Sequence, residues 1–269
     1  MRLFLCEKPS QGKDIARVLG ASQRGTGCYS GAGTVVTWCI GHLVEAVPPE
    51  GYDERYKRWS IEQLPIIPDR WRVEPKAATA TQFKTVKQLI GQATELVIAT
   101  DADREGEMIA REIIDLCSYR GPIQRLWLSA LNDASIRKAL GALKPSGETL
   151  PLYYSALARS RADWLVGMNL SRLFTVLGRQ AGYNGVLSVG RVQTPTLKMV
   201  VDRDREIARF VSVPFWPIDV SLTHAGQIFT ASWTAPKGCT DEAGRCLQQP
   251  VAQQAVSYTH LTLPTTPYV

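Results

Sequence analysis

VIATDADREGEMIAREII, Val97 to Ile114, sets Asp101, Asp103 and Glu105 at alternate positions directly after an apolar run. The preceding ELVIAT has the length and composition of a buried strand, and REGEMIAREIIDLC has the spacing of a helix. Three carboxylates therefore stand at the carboxyl end of a strand, where open α/β sheets build their sites. Like charges this close repel, so a positive partner is required: a metal ion, a basic side chain, or simply water around a solvated turn. Upstream, RLFLC reads as a first strand that ends on Glu7. If the two strands are neighbours, four carboxylates converge: Glu7, Asp101, Asp103 and Glu105. Oxygen ligands with room for water suit Mg²⁺, which takes one or two protein carboxylates and completes its shell with water or phosphate.

Two other readings compete. Asp101-x-Asp103-x-Glu105-Gly106, with Glu112 eleven residues after Asp101, nearly fits an EF-hand calcium loop. That loop lies between two helices, whereas here a strand precedes and the helix starts inside the loop. A solvated acidic turn remains the plain alternative. A nucleotide-binding P-loop is not supported: Gly12-Lys13 is followed by Asp14 and lacks the earlier glycine.

Strands and helices alternate through the first 130 residues. RLFLC is followed by the helix SQGKDIARVLG, opened by Pro9-Ser10 and closed by Gly20. TVVTWCIGHL is a further strand-like run, TATQFKTVKQLIGQA an amphipathic helix, IQRLWLS a strand and DASIRKALGAL a helix. Such alternation implies a mostly parallel sheet. From Leu152 the pattern is helical, through a Gly-rich loop to the helix TPTLKMVVDRDREIARF. Pro214 and Pro217 mark a boundary, and WPIDVSLTHAGQIFTASW alternates like a β-hairpin.

The chain of 269 residues is long enough for more than one domain. No apolar stretch approaches the ~20 residues that span a bilayer, and MRLFLCEKPS is not a signal peptide, so no membrane partner is expected. The six cysteines show no CxxC spacing, and reduced thiols in a cytoplasm are the expectation. Net charge is +6, and from Ser155 to Phe215 nine basic residues face four acidic ones. A segment this basic suits a polyanion, although a solvated helical face has the same composition.

Glu7-Lys8-Pro9-Ser10 together with Asp101-x-Asp103-x-Glu105-Gly106 resembles a Toprim domain. TWCIGHLVE (37–45), SALARSRADWLVGMNLSR (155–172) and GVLSVGRVQTPTL (185–197), in that order, narrow the resemblance to the type IA DNA topoisomerases, and within them to the topoisomerase III group. The resemblance runs from Met1 to about Ala255. It implies an α/β Toprim domain over 1–134, with a Rossmann-like, mostly parallel sheet. After it come a mainly helical, DNA-binding segment over 152–213 and the truncated start of a β-rich gate domain over 214–255.

The family chemistry is ATP-independent cleavage, passage and resealing of single-stranded DNA through a 5′-phosphotyrosine. By position, Glu7 is the acid and then base at the leaving 3′ oxygen, and Lys8 stabilises charge on the scissile phosphate. Glu7, Asp101, Asp103 and Glu105 hold Mg²⁺. Arg172 and Arg179, seven apart on one helix, are expected to point together toward a strand's phosphates. Trp59 and Trp164 are candidates for base stacking, with core packing the alternative. Ser188, Val189, Gly190, Arg191, Val192 and Gln193 are read as a DNA-contacting loop, and His42 as a satisfied buried histidine. A monomer in the cytoplasm, associated with the nucleoid, is expected.

The resemblance also exposes a departure. The family nucleophile lies in a segment like T-Y-x-R-[ST], and none of the nine tyrosines fits it. Tyr56-Lys57-Arg58 is a partial match, but Arg55 precedes it and Trp59 follows. Residues 256–269 carry no charge and neither helical nor strand periodicity, so they are expected to be a non-native tail on a chain inactive in strand cleavage.

Overall fold

The computed structural model describes residues 1–257. In chain order the elements are β1 (Arg2–Cys6), α1 (Pro9–Leu19), β2 (Gln23–Gly25), β3 (Cys28–Gly31), β4 (Thr34–Trp38), β5 (Val44–Ala46), α2 (Pro49–Tyr52), β6 (Val73–Pro75), α3 (Ala80–Gln92), β7 (Glu95–Ala99), α4 (Arg104–Leu116), β8 (Ile123–Arg125), α5 (Asp133–Leu140), β9 (Lys144–Pro145), α6 (Leu150–Gln180), α7 (Gln193–Ala208), β10 (Asp219–His224), β11 (Gln227–Ser232) and α8 (Gln249–Ser257).

Seven strands form one sheet in the order β2-β3-β4-β1-β7-β8-β9. Its centre is parallel: β1 pairs with β4 and β7, and β7 with β8. The remaining pairings of this sheet are antiparallel. Both faces are covered, which is why β1 and β7 read as continuous apolar runs rather than as alternation. Leu3, Leu5, Leu96 and Ile98 pack with Phe83, Val86 and Ile90 of α3 and with Ile109 and Ile113 of α4. Phe4, Cys6, Val97 and Ala99 point to the other face, against Ile15 and Ala16 of α1 and Ile136 of α5.

Two predicted strands are shorter than their apolar runs. TVVTWCIGHL is a strand only to Trp38, and the chain turns at Gly41 with φ +67°. IQRLWLS is paired only over Ile123–Arg125.

The chain forms two compact units, Met1–Leu197 and a second from Lys198 onward. In the first, α6 lies along α4, with Met108, Tyr153 and Ala156 forming a small core between them. In the second, β10 and β11 make the hairpin read from the sequence. Its two-residue turn, Ala225-Gly226, has positive φ at both positions (51° and 79°), the conformation that matches strand twist. The expected division at 256 falls within α8, to which Val256 and Ser257 belong. The rest of that expected tail lies outside the described residues.

Candidate active site

Parallel pairing of β1 with β7 sets Cys6 opposite Ala99, so Glu7 and Asp101 leave adjacent strands at the same end of the sheet. The Glu7 carboxylate accepts from the Asp101 backbone N–H at 3.2 Å. Lys8 supplies the positive charge that the acidic cluster requires. Its Nζ lies 2.7 Å from Asp101 Oδ2 and 3.6 Å from Glu7 Oε1. Gln11, one turn into α1, ties the two strand ends together. Its Oε1 accepts from Glu7 N at 2.8 Å, and its Nε2 donates to Asp101 Oδ1 at 3.2 Å.

Burial pushes the Glu7 carboxyl above its ordinary pKa, helped by the charges of Asp101 and Asp103 and opposed by the Asp101 N–H and by Lys8. The hydrogen bond to Asp101, with the charge of Glu7, raises Lys8, so its ammonium is held charged. A carboxyl biased toward its protonated form beside a fixed cation is the pairing needed to deliver a proton next to an anion.

The four carboxylates do not converge as one ligand set. Asp103 is the N-cap of α4, and its Oδ1 accepts from Gly106 N at 2.7 Å. Glu105 instead lines a neighbouring hollow of about 380 Å³ with Glu112, Arg159 and Asp163. Among the described residues no three or more His, Cys, Asp or Glu side chains are arranged to cage a metal. The donor chemistry nevertheless suits Mg²⁺, because Asp101 and Asp103 offer hard oxygens at a partly exposed strand end and the ion keeps most of its own water. The helix start inside the acidic motif also removes the EF-hand reading.

The loop that carries these acids is braced from below by residues the sequence reading did not single out. Arg125, fully buried, donates to the carbonyls of Ile98, Thr100, Leu126 and Asp101 at 2.6–3.2 Å and pairs with Glu107. Arg111 pairs with the same carboxylate at 2.7 Å. The Glu107–Arg111 spacing of four was a visible signal. Arg125, a charge inside an apolar strand run, was another. Gly106 is required by space, since a Cβ there would lie 2.2 Å from the Asp101 carbonyl oxygen.

Two residues expected to touch a strand are interior. Trp164 is 6% exposed, packs edge-on to Tyr52 and Trp71, and donates its Nε1–H to Val47 O at 3.1 Å. It cannot stack a base without leaving this core. Arg172 is 5% exposed, donates to Tyr56 O at 2.7 Å and pairs with Glu50 at 3.2 Å. Its guanidinium lies over the Trp59 ring, 5.1 Å from the centroid.

The spacing of seven does bring Arg172 and Arg179 to the same neighbour, but only Arg179 reaches solvent. Half-buried Trp59 and exposed Arg179 line a hollow of about 600 Å³ with Lys57, Arg58, Val176 and Gln180.

In the 188–193 loop, Ser188, Arg191, Val192 and Gln193 are exposed. Val189 and Gly190 are held by Ser171 and Thr194, and Arg191 pairs with Asp163 at 2.8 Å. His42 is not the buried histidine expected. Its side chain is 31% exposed, with Nδ1 3.7 Å from Glu112, and lines the same hollow as Glu105.

Adjacent parallel strands ending on Glu7-Lys8 and on Asp101-x-Asp103 define a Toprim-type nucleic-acid enzyme domain. Residues 2–131 match the Toprim domain model, and residues 148–260 match the model described as DNA topoisomerase. The chain belongs to the type IA DNA topoisomerases, close to topoisomerase III. It is 44% identical to DNA topoisomerase 3 of Salmonella typhimurium over 267 residues, covering 96% of this chain and 41% of that protein. It is also 44% identical to DNA topoisomerase 3 of Vibrio cholerae, covering 95% of this chain and 42% of the relative. The chain thus spans about two-fifths of the length of these relatives. Its fold is similar to that of full-length topoisomerase I from Thermotoga maritima, with TM-score 0.59 and 25% identity over 95% of this chain and 37% of the other.

Proposed function

We propose that this chain is the acid–base and strand-gripping part of a Mg²⁺-assisted, ATP-independent topoisomerase that opens and reseals single-stranded DNA. The observation that carries the reading is the meeting of Glu7, Lys8 and Asp101 at one sheet end, with Lys8 Nζ 2.7 Å from Asp101 Oδ2. Glu7 gives its proton to the leaving 3′ oxygen and takes it back on resealing, a role its raised pKa supports. Lys8 balances charge that develops on the scissile phosphate. Asp101 and Asp103, with Glu7 beside them, would hold Mg²⁺, which would supply further positive charge against the phosphate, and Glu105, which faces the neighbouring hollow, would assist from a distance. Gln11 fixes the spacing of the two strand ends.

The strand runs over Trp59, Arg179 and the 188–193 loop. Aromatic and basic groups there favour unpaired bases without reading sequence. None of the nine tyrosines stands in a T-Y-x-R-[ST] segment, and Tyr56, the nearest imitation, has Arg55 before it and Trp59 in place of the final Ser or Thr. On that ground the chain, a monomer in this reading, binds a strand but does not attack it. Incubation with an end-labelled single strand and Mg²⁺ tests both halves. Salt-sensitive binding that prefers single strand over duplex, with no covalent band on a denaturing gel, is expected. Equal affinity for duplex, or a protein–DNA band that survives boiling in detergent, contradicts the reading.

A further inference from the structure

Between α4 and α6, away from the acidic strand ends, lies a second cavity of about 490 Å³. Trp71, Leu116 and Leu157 give it an apolar wall, and Tyr153, Asp115 and Arg161 set its polar groups. The size is that of a small-molecule site. Its charges are unevenly engaged. The Tyr153 hydroxyl donates to Asp115 Oδ2 at 3.1 Å, so that carboxylate already has a partner. Of the two arginines that line it, Arg72 is engaged from outside the cavity, donating to the Gly51 carbonyl and lying over the Tyr52 ring. Arg161 has no ion pair among the described residues, and its buried Nε has no hydrogen-bond partner there.

The guanidinium of Arg161 is held in place. It lies over the Trp71 ring, 5.3 Å from the centroid, and Trp71 is fixed edge-on against buried Trp164 at 5.4 Å. Stacking occupies the face of the guanidinium and leaves its in-plane N–H groups unused, the arrangement that receives a carboxylate.

We infer that this cavity binds a small monocarboxylate with an aromatic or bulky apolar body, its carboxylate on Arg161 and its body against Leu116 and Leu157. Asp115 and Glu112 also border the cavity and offset the charges of Arg72 and Arg161, so one ligand carboxylate is favoured over a dianion such as a phosphate monoester. The site is independent of the strand-cleavage reading, since it uses none of the residues assigned there.

The test is isothermal titration of the full chain with 2-naphthoate and, in parallel, with neutral 2-naphthamide. Saturable one-to-one binding of the acid is expected, with the amide at least about tenfold weaker, the loss of one charge-assisted contact. Arg161→Gln is expected to erase the difference between acid and amide. Leu157→Trp, which fills the cavity without touching the charge, is expected to abolish binding of both. Circular dichroism melts establish that each variant is folded, and Arg161→Lys, which keeps the cation, is expected to retain the acid's advantage in part. No saturable binding, equal affinity for acid and amide, or undiminished binding by folded Arg161→Gln or Leu157→Trp overturns the proposal.

Discussion

Glu7 is 13% exposed at its side chain and sits within reach of two other acids, yet its charged form is stabilised only by Lys8 and one backbone N–H. Its folded pKa therefore lies above its unfolded value of about 4.3. A group raised in this way contributes stability that is complete below the unfolded pKa and is lost as pH rises through the folded one. In EDTA, Glu7→Gln is predicted to make the chain less pH-sensitive. Urea unfolding from pH 4 to 7.5 checks this: wild type is expected to lose stability relative to the variant as pH rises, and parallel curves would refute the assignment.

Arg125 carries a larger stake. Replacing it with Met leaves Glu107 buried with one cation in place of two and frees four carbonyls beneath the acidic loop. Breaking a buried pair from one side costs about 3–5 kcal/mol. A loss below about 1 kcal/mol by urea titration would show that the brace is not structural. The acids were legible because strand ends concentrate charge, and Lys8 was read only through the family resemblance. Gln11 was not, because an amide at that position in a helix has no distinguishing pattern.

At the level of elements, α6 shows where helical spacing stops being informative. Its buried side chains are Tyr153, Ala156, Trp164, Arg172 and Thr175, so the inward stripe includes an arginine and the tryptophan proposed to meet bases. Composition alone reads such a helix as a basic face. What turns Arg172 inward is the segment from Glu50 to Trp59, more than a hundred residues away in sequence, which supplies a carboxylate, a carbonyl and a ring. Trp59 and Trp164 therefore separate by experiment. Trp59→Ala is predicted to weaken single-strand binding by about 1–3 kcal/mol, with a stability loss of about 0.5–2 kcal/mol from the ring that covers Arg172. Trp164→Phe is predicted to lower stability, by losing the bond to Val47, and to leave DNA affinity within about twofold. Fluorescence anisotropy beside thermal melts distinguishes them, and the reverse pattern would return Trp164 to the strand path.

For the whole molecule, sheet order was readable in outline. Alternating strands and helices implied a mostly parallel sheet and left open whether the two apolar runs that end in charge are neighbours; β1 and β7 are. Less legible was how the four carboxylates divide. Asp103 is drawn to the α4 N-terminus and Glu105 to the α6 side, leaving Glu7 and Asp101 around Lys8. In the function proposed above, that division makes the cluster a place to receive a phosphate, with a lysine already holding part of the charge, rather than a ready-made cage. Mg²⁺ binding in the absence of DNA is then weak and confined to few ligands.

The direct test is a Mg²⁺ titration of the chain while the carboxyl carbon signals of its Asp and Glu residues are followed by NMR. The account predicts saturable shifts at Asp101, Asp103 and Glu7, a smaller one at Glu105, and tighter binding when a short single strand is present. Shifts confined to other acids, or none at all with the strand bound, would contradict it.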